Sequence, residues 1–265
     1  MAIKEQMGHV LQRAGLSTIN LLSRLGPYHL ESDRYGSHGR NSIDWYRGAG
    51  GNRPLVLFLY GGNWQSGQRQ DYRFVADTLI RLGCDVAIPD YRLYPDVRFG
   101  EIFDDVQQVL GHVTQRMADN SNLVVMGHSA GAQMGALLAL DRRISARQSI
   151  KGFIGLAGPY DFYPFSEDAH WDLFKQDQGY ADSQPVNFVS NDAPPLYLLH
   201  GEEDRRVRRG HSKSLMEKQL SAGGQAQREV YQNMGHVDII LSFSALHRWR
   251  SKVVTDVREF IHAID

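Results

Sequence analysis

The chain has little cysteine and no long uninterrupted apolar run. Cys84 is the single cysteine among 265 residues, so no disulfide bond can form within the chain. No stretch reaches the roughly 18 apolar residues that a membrane-spanning helix requires. The first residues also lack the basic and apolar regions of a secretory signal peptide. From these absences we expect a cytoplasmic protein without a membrane span.

A strong excess of charge is lacking as well. The 29 basic residues nearly balance the 30 acidic ones, so the sequence predicts no basic surface of the kind that binds nucleic acid. Neither a CxxC pair nor an HExxH motif occurs, and no metal site is predicted. We therefore expect a small-molecule substrate as the partner, no nucleic acid, and no metal or organic cofactor.

From residue 55 onwards, apolar runs alternate with amphipathic segments. Continuous apolar runs are typical of strands buried on both faces of a parallel sheet, and they occur at residues 55–60, 84–89, 123–126, 152–157 and 195–199. A last strand is predicted at 226–231, and helices are predicted at 71–82, 101–117, 207–220 and 243–264. The alternation predicts an α/β fold with a mostly parallel central sheet, helices on both faces, and a single domain over residues 1–265.

Three segments do not follow this alternation. Residues 4–25 have an amphipathic helical pattern that Gly26-Pro27 ends, so residues 1–26 are interpreted as an N-terminal helix. This helix could lie on the domain, contact a membrane or form a homodimer. Short antiparallel strands suit residues 29–46. Residues 158–193 are rich in aromatic residues and predict a small cap, whose rings could form its own core or the wall of a substrate site.

The motif Gly-His-Ser-Ala-Gly at residues 127–131 lies between an apolar run and a segment of small residues. In that context G-x-S-x-G indicates a nucleophile elbow, a strained strand-to-helix turn that exposes the serine hydroxyl at the sheet edge. Ser129 is therefore the predicted nucleophile. A hydroxyl at its free pKa is a poor nucleophile, so the chain must also supply a base and an acid to orient that base.

The predicted base is His236, because among eleven histidines it alone lies in a loop just beyond the last strand. His128 lies within the elbow and is assigned to packing. Asp204 is the predicted acid, because it follows the end of the preceding strand and completes the chain order serine, acid, histidine. His200 is expected to support the acid loop. The other carboxylates that come into question are Glu202, Glu203, Asp192 and Asp238.

Backbone donors for an oxyanion are predicted directly after the first buried strand. The glycine pair Gly61-Gly62, followed by Asn63, allows backbone N–H groups to approach a tetrahedral intermediate closely. The N–H of Ala130, the residue after the nucleophile, is the expected second arm of this site. A plain glycine turn is the alternative interpretation of the pair.

Several motifs together resemble one known family. Tyr-Gly-Gly-Asn-Trp at 60–64 resembles the HGGxW motif of small α/β-hydrolase carboxylesterases and of the related kynurenine formamidases. Residues 127–132 resemble their nucleophile elbow, and Asp-Tyr-Arg-Leu-Tyr-Pro at 90–95 is similar to a segment of the hormone-sensitive-lipase-like and feruloyl-esterase-like branches. His-Gly-x-x-Asp at 200–204 and Gly-His at 235–236 match the acid and base signatures. The resemblance covers residues 50–262.

The resemblance implies an α/β-hydrolase serine esterase that hydrolyses small, short-acyl carboxylic esters. It places the oxyanion donors on Gly62, Asn63 and Ala130, and it suggests that Trp64 borders the substrate. Arylformamidase activity on N-formylkynurenine is the alternative, with Trp64 and the aromatic segment stacking on an aryl ring. The chain departs from the family at Tyr60, which replaces the first histidine of HGGxW. If Tyr60 marks a decayed site, a non-catalytic binding protein is the third interpretation.

Overall fold

The computed structural model of the protein describes residues 19–21, 23–117, 121–175 and 180–264. These residues form an eight-stranded sheet with the order β1-β2-β4-β3-β5-β6-β7-β8. The strands are β1 Tyr28–Arg34, β2 Ser42–Gly48, β3 Leu55–Leu59, β4 Asp85–Pro89, β5 Leu123–His128, β6 Ile150–Leu156, β7 Leu196–Gly201 and β8 Ala226–Tyr231. The β1–β2 and β2–β4 pairs are antiparallel, and all other neighbouring strands pair parallel. The predicted α/β fold with a mostly parallel sheet is confirmed.

The helices flank this sheet. They are α1 Arg73–Arg81, α2 Phe99–Arg116, α3 Ala130–Leu140, α4 Asp168–Leu173, α5 Gly210–Ser221, α6 Asp238–Leu241 and α7 Lys252–Ile264. Every residue of α3 is buried, because its small and apolar side chains pack under the elbow. Among the residues that the structure describes, no helix is long and apolar enough to cross a bilayer. The division of residues 1–265 into domains stays a prediction.

The long terminal helix predicted at 243–264 is wrong at its start. Residues 242–250 form turns, and the helix begins only at Lys252. The Ser251 hydroxyl accepts the N–H of Val254 at 3.4 Å, as a capping residue does. Contacts with α1 hold the preceding turns, because Thr78 Oγ1 donates to the Phe243 carbonyl at 2.6 Å. Tertiary contacts thus override the local helical pattern.

The three segments outside the alternation have different outcomes. The predicted N-terminal helix lies almost wholly outside the described residues, which begin at residue 19 and omit residue 22. The short antiparallel strands predicted at 29–46 are present as β1 and β2. The cap segment, defined as residues 158–193, connects β6 to β7 and contains α4 and two short 3-10 turns, Ala181–Ser183 and Pro185–Asn187.

Candidate active site

The elbow at residues 127–131 has the strained geometry that the motif predicts. Ser129 has φ 55° and ψ −121°, a backbone conformation that is unfavourable for a residue with a side chain. A Cβ at Gly127 would overlap the backbone of Gly131, and one at Gly131 would overlap the Leu59 carbonyl at the end of β3. The two glycines therefore allow α3 to pack directly against β3 and β5. The Ser129 N–H donates to the Leu156 carbonyl at 2.9 Å, which ties the turn to β6.

Three side chains that the sequence order singled out meet at the carboxyl ends of β5, β7 and β8. His236 Nε2 lies 2.9 Å from Ser129 Oγ, and His236 Nδ1 lies 2.7 Å from Asp204 Oδ2. His236 and Asp204 are both buried, with 9% of their surface exposed. In this arrangement one ring nitrogen can take a proton from the hydroxyl while the other donates to a carboxylate.

Asp204 is held on both of its oxygens. The backbone N–H groups of Arg206 and Val207 each donate to Oδ1 at 2.9 Å, while His236 binds Oδ2. His200 Nε2 lies 3.3 Å from Oδ2 and 2.9 Å from the Val207 carbonyl, which confirms that His200 supports the acid loop. Burial alone would raise the pKa of Asp204, but the hydrogen bonds from His200 and His236 outweigh it and hold that pKa below its usual range. The carboxylate is therefore charged at neutral pH.

The other carboxylates considered have different partners. Glu202 pairs with Arg209 at the surface, with 3.2 Å between Oε1 and Nη1. Asp238 accepts the N–H of Gly235 at 2.7 Å, and Asp192 pairs with Arg142 and with the buried Arg147. Of the candidates with side-chain contacts in the described structure, Asp204 is the one that contacts His236.

The Gly61-Gly62 loop packs against the nucleophile. A Cβ at Gly61 would lie 2.9 Å from the Ser129 Cβ, so only glycine brings the backbone this close. Gly62 has φ 145° and Asn63 has φ 53°, which folds the chain into a tight left-handed turn. Within the described residues, the N–H groups of Gly62, Asn63 and Ala130 donate to no protein acceptor. They are free to bind an oxyanion of a ligand.

Tyr60 holds the base of this loop in place of the motif histidine. Its hydroxyl donates to Asp90 Oδ1 at 2.9 Å and accepts from Arg40 Nη2 at 3.0 Å. Arg40 also donates to the Gly67 carbonyl at 2.8 Å, and the Tyr91 hydroxyl donates to the Tyr60 carbonyl at 2.7 Å. Burial raises the pKa of Tyr60 well above its usual value, so the hydroxyl keeps its proton. These contacts anchor the start of the loop without a histidine.

Trp64 is turned inward rather than towards an open cleft. Its side chain is 3% exposed, and Nε1 donates to Gln133 Oε1 at 3.2 Å. Gln133 in turn donates to the Ser183 carbonyl of the cap segment at 2.7 Å. The indole also packs edge-to-face on Phe174, with 4.9 Å between ring centroids. The role of Trp64 in substrate binding stays a prediction. Its contacts join the Gly61-Gly62 loop to the cap segment.

Sequence reasoning missed two groups beside the site. His170 Nε2 lies 3.0 Å from Asn63 Oδ1, and Asn63 Nδ2 donates to Glu167 Oε2 at 3.4 Å. The helix α4 and the residue before it therefore contact the Gly61-Gly62 loop. Nothing in the local pattern distinguishes His170 from other peripheral histidines. Gln133 did carry a signal, because it is the one polar side chain in the otherwise small and apolar helix α3.

The aromatic residues of the cap segment pack mainly on one another. The Phe165 and Phe174 rings are stacked with centroids 5.0 Å apart, and Phe162 meets Phe174 at 5.3 Å. Tyr163 and Trp171 are exposed to 53% and 38%. The buried members form the core of the segment, and the exposed ones leave an aromatic surface. No group of three or more potential metal ligands converges in the part of the chain that the structure describes.

The parallel sheet, the elbow serine after β5 and the glycine loop after β3 define an α/β-hydrolase. The sequence pattern of the BD-FAE family matches residues 43–219, which is more than half of the chain. The chain therefore belongs to the BD-FAE family. A hyperthermophilic esterase from the archaeon Pyrobaculum calidifontis shares the fold, with a TM-score of 0.82 at 18% identity over 98% of this chain and 93% of that one.

Curated relatives are longer than this chain. It is 24% identical over 263 residues to an isoprenylcysteine alpha-carbonyl methylesterase of Arabidopsis thaliana, an alignment that covers 87% of this chain and 61% of that protein. It is 33% identical over 113 residues to a kynurenine formamidase of Salmo salar, which covers 42% of this chain and 38% of that one. The chain thus spans less than two thirds of the length of either relative.

Proposed function

We propose that the protein is a serine carboxylesterase whose nucleophile is Ser129. Ser129 Oγ attacks the carbonyl carbon of an ester while His236 Nε2 takes the hydroxyl proton. The tetrahedral oxyanion accepts hydrogen bonds from the N–H groups of Gly62, Asn63 and Ala130. The intermediate collapses with cleavage of the ester C–O bond, and His236 returns the proton to the leaving alcohol.

The second half of the reaction uses the same groups. Water adds to the acyl-enzyme as His236 removes its proton, and collapse of the second intermediate returns that proton to Ser129 and releases the acid. Asp204 keeps Nδ1 of His236 protonated and stabilises the imidazolium that forms twice in each cycle. The chemistry requires no redox step and no group that the chain itself lacks.

The observation that carries this proposal is the pair of distances at His236. Separations of 2.9 Å to Ser129 Oγ and 2.7 Å to Asp204 Oδ2 are hydrogen-bond distances on both sides of one ring. A triad of this geometry beside unpaired backbone donors supports acyl transfer. The name of the Arabidopsis relative, a methylesterase, also supports an ester as the substrate.

We further propose that the acyl group is short. The described part of the cap segment contributes one helix of six residues, and its buried aromatic rings are engaged with each other and with Trp64. A long acyl chain requires an apolar channel of matching length, whereas a small acyl group needs only the space beside Ser129.

Formamidase activity is the second candidate, because one relative bears the name kynurenine formamidase. The same three side chains would attack a formamide carbonyl and release formate and an aryl amine. Trp64 gives this candidate less support than its position in the motif suggests. The indole is 3% exposed and stacks on Phe162 with 6.0 Å between centroids, so it presents little surface to an aryl ring.

The test compares p-nitrophenyl acetate, butyrate, octanoate and palmitate with N-formylkynurenine, for the wild type and Ser129→Ala. We expect Ser129-dependent hydrolysis that is fastest with acetate or butyrate. Turnover of N-formylkynurenine that equals or exceeds the best ester would favour the formamidase. Ester hydrolysis that Ser129→Ala leaves unchanged would remove Ser129 from the mechanism and reopen the non-catalytic interpretation.

A further inference from the structure

His128, inside the elbow motif, contacts the loop that carries the proposed base. Its side chain is 6% exposed, and its Nε2 lies 3.0 Å from the backbone carbonyl oxygen of His236. The two imidazole rings are close, with 5.0 Å between their centroids. A carbonyl oxygen can only accept a hydrogen bond. Nε2 of His128 must therefore carry the proton and donate it.

The other ring nitrogen has no partner. Nδ1 of His128 is buried and forms no hydrogen bond with any described residue. It faces the oxyanion loop, because a Cβ at Gly61 would lie only 3.0 Å from it. An unpaired buried acceptor is unfavourable. An apolar side chain at this position would not bury an unpaired acceptor. The advantage of histidine over an apolar residue is therefore the hydrogen bond that Nε2 donates.

Burial, with a smaller contribution from the nearby His236 ring, lowers the pKa of His128 to about 3. His128 is therefore neutral whenever the proposed base is active. A charged imidazole at this position would oppose the positive charge that His236 must acquire when it takes the Ser129 proton. The neutral ring supplies a donor without that repulsion. Asp204 and Arg206 are the other charged groups near it.

The contact joins two loops that are distant in the chain. His128 is covalently attached to Ser129, while the carbonyl that it binds belongs to His236, 108 positions later. The Nε2–H group of His128, which lies in the same turn as Ser129, thus holds the backbone of His236. The 2.9 Å between Ser129 Oγ and His236 Nε2 depends on this backbone position as well as on Asp204.

We propose that His128 is a positioning residue, whose Nε2–H fixes the His236 backbone so that the imidazole stays within reach of Ser129. The inference rests on the proposed function. Misplacement of a reacting group by about 1 Å can cost a hundredfold in rate. Loss of this donor should therefore lower kcat, while KM should stay nearly constant because the His128 side chain is buried and acts through the His236 backbone.

The experiment compares His128→Phe with His128→Gln, whose amide nitrogen can replace the Nε2 donor. His112→Phe is the matched control, because His112 forms one side-chain hydrogen bond, to Asp33 at 3.0 Å, away from the site. We expect His128→Phe to lower kcat on p-nitrophenyl butyrate by about tenfold to a hundredfold. His128→Gln should recover most of the loss, and His112→Phe should match the wild type. Titration with a fluorophosphonate measures the concentration of active sites. Dividing the rates by that concentration keeps misfolded protein from lowering the apparent kcat.

A loss that is equal in His128→Phe and His128→Gln, or that disappears when rates are divided by labelled sites, would overturn the positioning role. Wild-type protein that hydrolyses no ester would instead refute the proposed function. In that case the rate at which the fluorophosphonate labels Ser129 becomes the readout, and His128→Phe should slow it selectively. Labelling at the wild-type rate would overturn the inference, and a wild type that is never labelled would overturn both.

Discussion

The pKa of His128 leads to a prediction about stability at acidic pH. In the unfolded chain this imidazole has its ordinary pKa of 6.5, whereas burial lowers the value to about 3 in the folded protein. Below pH 6.5 the unfolded state therefore binds a proton that the folded state excludes. Stability due to this group is complete above pH 6.5 and is lost as the pH falls from 6.5 towards 3.

The size of the effect follows from the two pKa values. At pH 5 residue 128 is almost fully protonated in the unfolded chain and almost fully neutral in the folded protein. The free energy of unfolding should then be about 2 kcal/mol lower at pH 5 than at pH 8 because of this residue alone. Phenylalanine at position 128 does not titrate, so His128→Phe should lack this part of the acid destabilisation.

Urea unfolding at pH 8 and pH 5 measures the difference. With an m-value of about 1–3 kcal/mol/M, the wild-type midpoint should fall by about 0.7–2 M more than the midpoint of His128→Phe. His170 and His211 also have lowered pKa values because of burial, but they titrate in both proteins and cancel in the comparison. The contribution of Asp204 to stability falls only below its ordinary pKa of 3.8, so it does not change between pH 8 and pH 5. Equal losses in the two proteins would refute the assigned burial and protonation of His128.

Three further substitutions and one control variant test the rest of the site. Tyr60→Phe removes the hydroxyl bound to Asp90, and we expect about 1 kcal/mol lower stability in urea and kcat reduced about tenfold, because the oxyanion loop loosens. Asp204→Asn should lower kcat by about 10⁴-fold in the ester assay, because the amide favours the wrong tautomer of the base. The control Glu203→Gln should keep the kcat of the wild type. Gly131→Ala places a Cβ against the end of β3 and should lower the melting temperature by about 5 °C or more.

Each of these expectations has a contradicting result. Wild-type kcat in Tyr60→Phe would mean that Asp90 does not hold the loop through the hydroxyl. A larger loss in Glu203→Gln than in Asp204→Asn would transfer the role of the acid to Glu203. A melting temperature of Gly131→Ala equal to that of the wild type, measured by circular dichroism, would show that the elbow has room for a side chain.

Much of the fold was predictable because its strongest signals are local. Strands such as Leu55–Leu59 and Leu123–His128 are buried along their whole length, and continuous apolar runs mark them in the sequence. The elbow was predictable for a related reason. Gly127 is required by backbone overlap within the strand–turn–helix unit and Gly131 by overlap with the end of the neighbouring strand β3, so the motif carries most of its own geometry.

The start of α7 was not predictable from the same kind of signal. Residues 243–251 continue a helical pattern, yet the structure holds them in turns through contacts with α1. Arg248 forms an ion pair with the buried Asp77, and Thr78 binds the Phe243 carbonyl. These partners lie 165 and 171 positions away, where a local window cannot detect them.

Tyr60 illustrates the same limit within the site. In the sequence it is a mismatch to a motif, and the mismatch alone suggested decay. In the structure the longer side chain reaches Asp90 and Arg40, and its carbonyl receives the Tyr91 hydroxyl, so the loop is anchored by residues 20 to 31 positions away. Leaving these buried polar groups unpaired would be unfavourable. Tyr60 is therefore a different solution to the same structural requirement, and the ester assay with Ser129→Ala decides between an active and a decayed site.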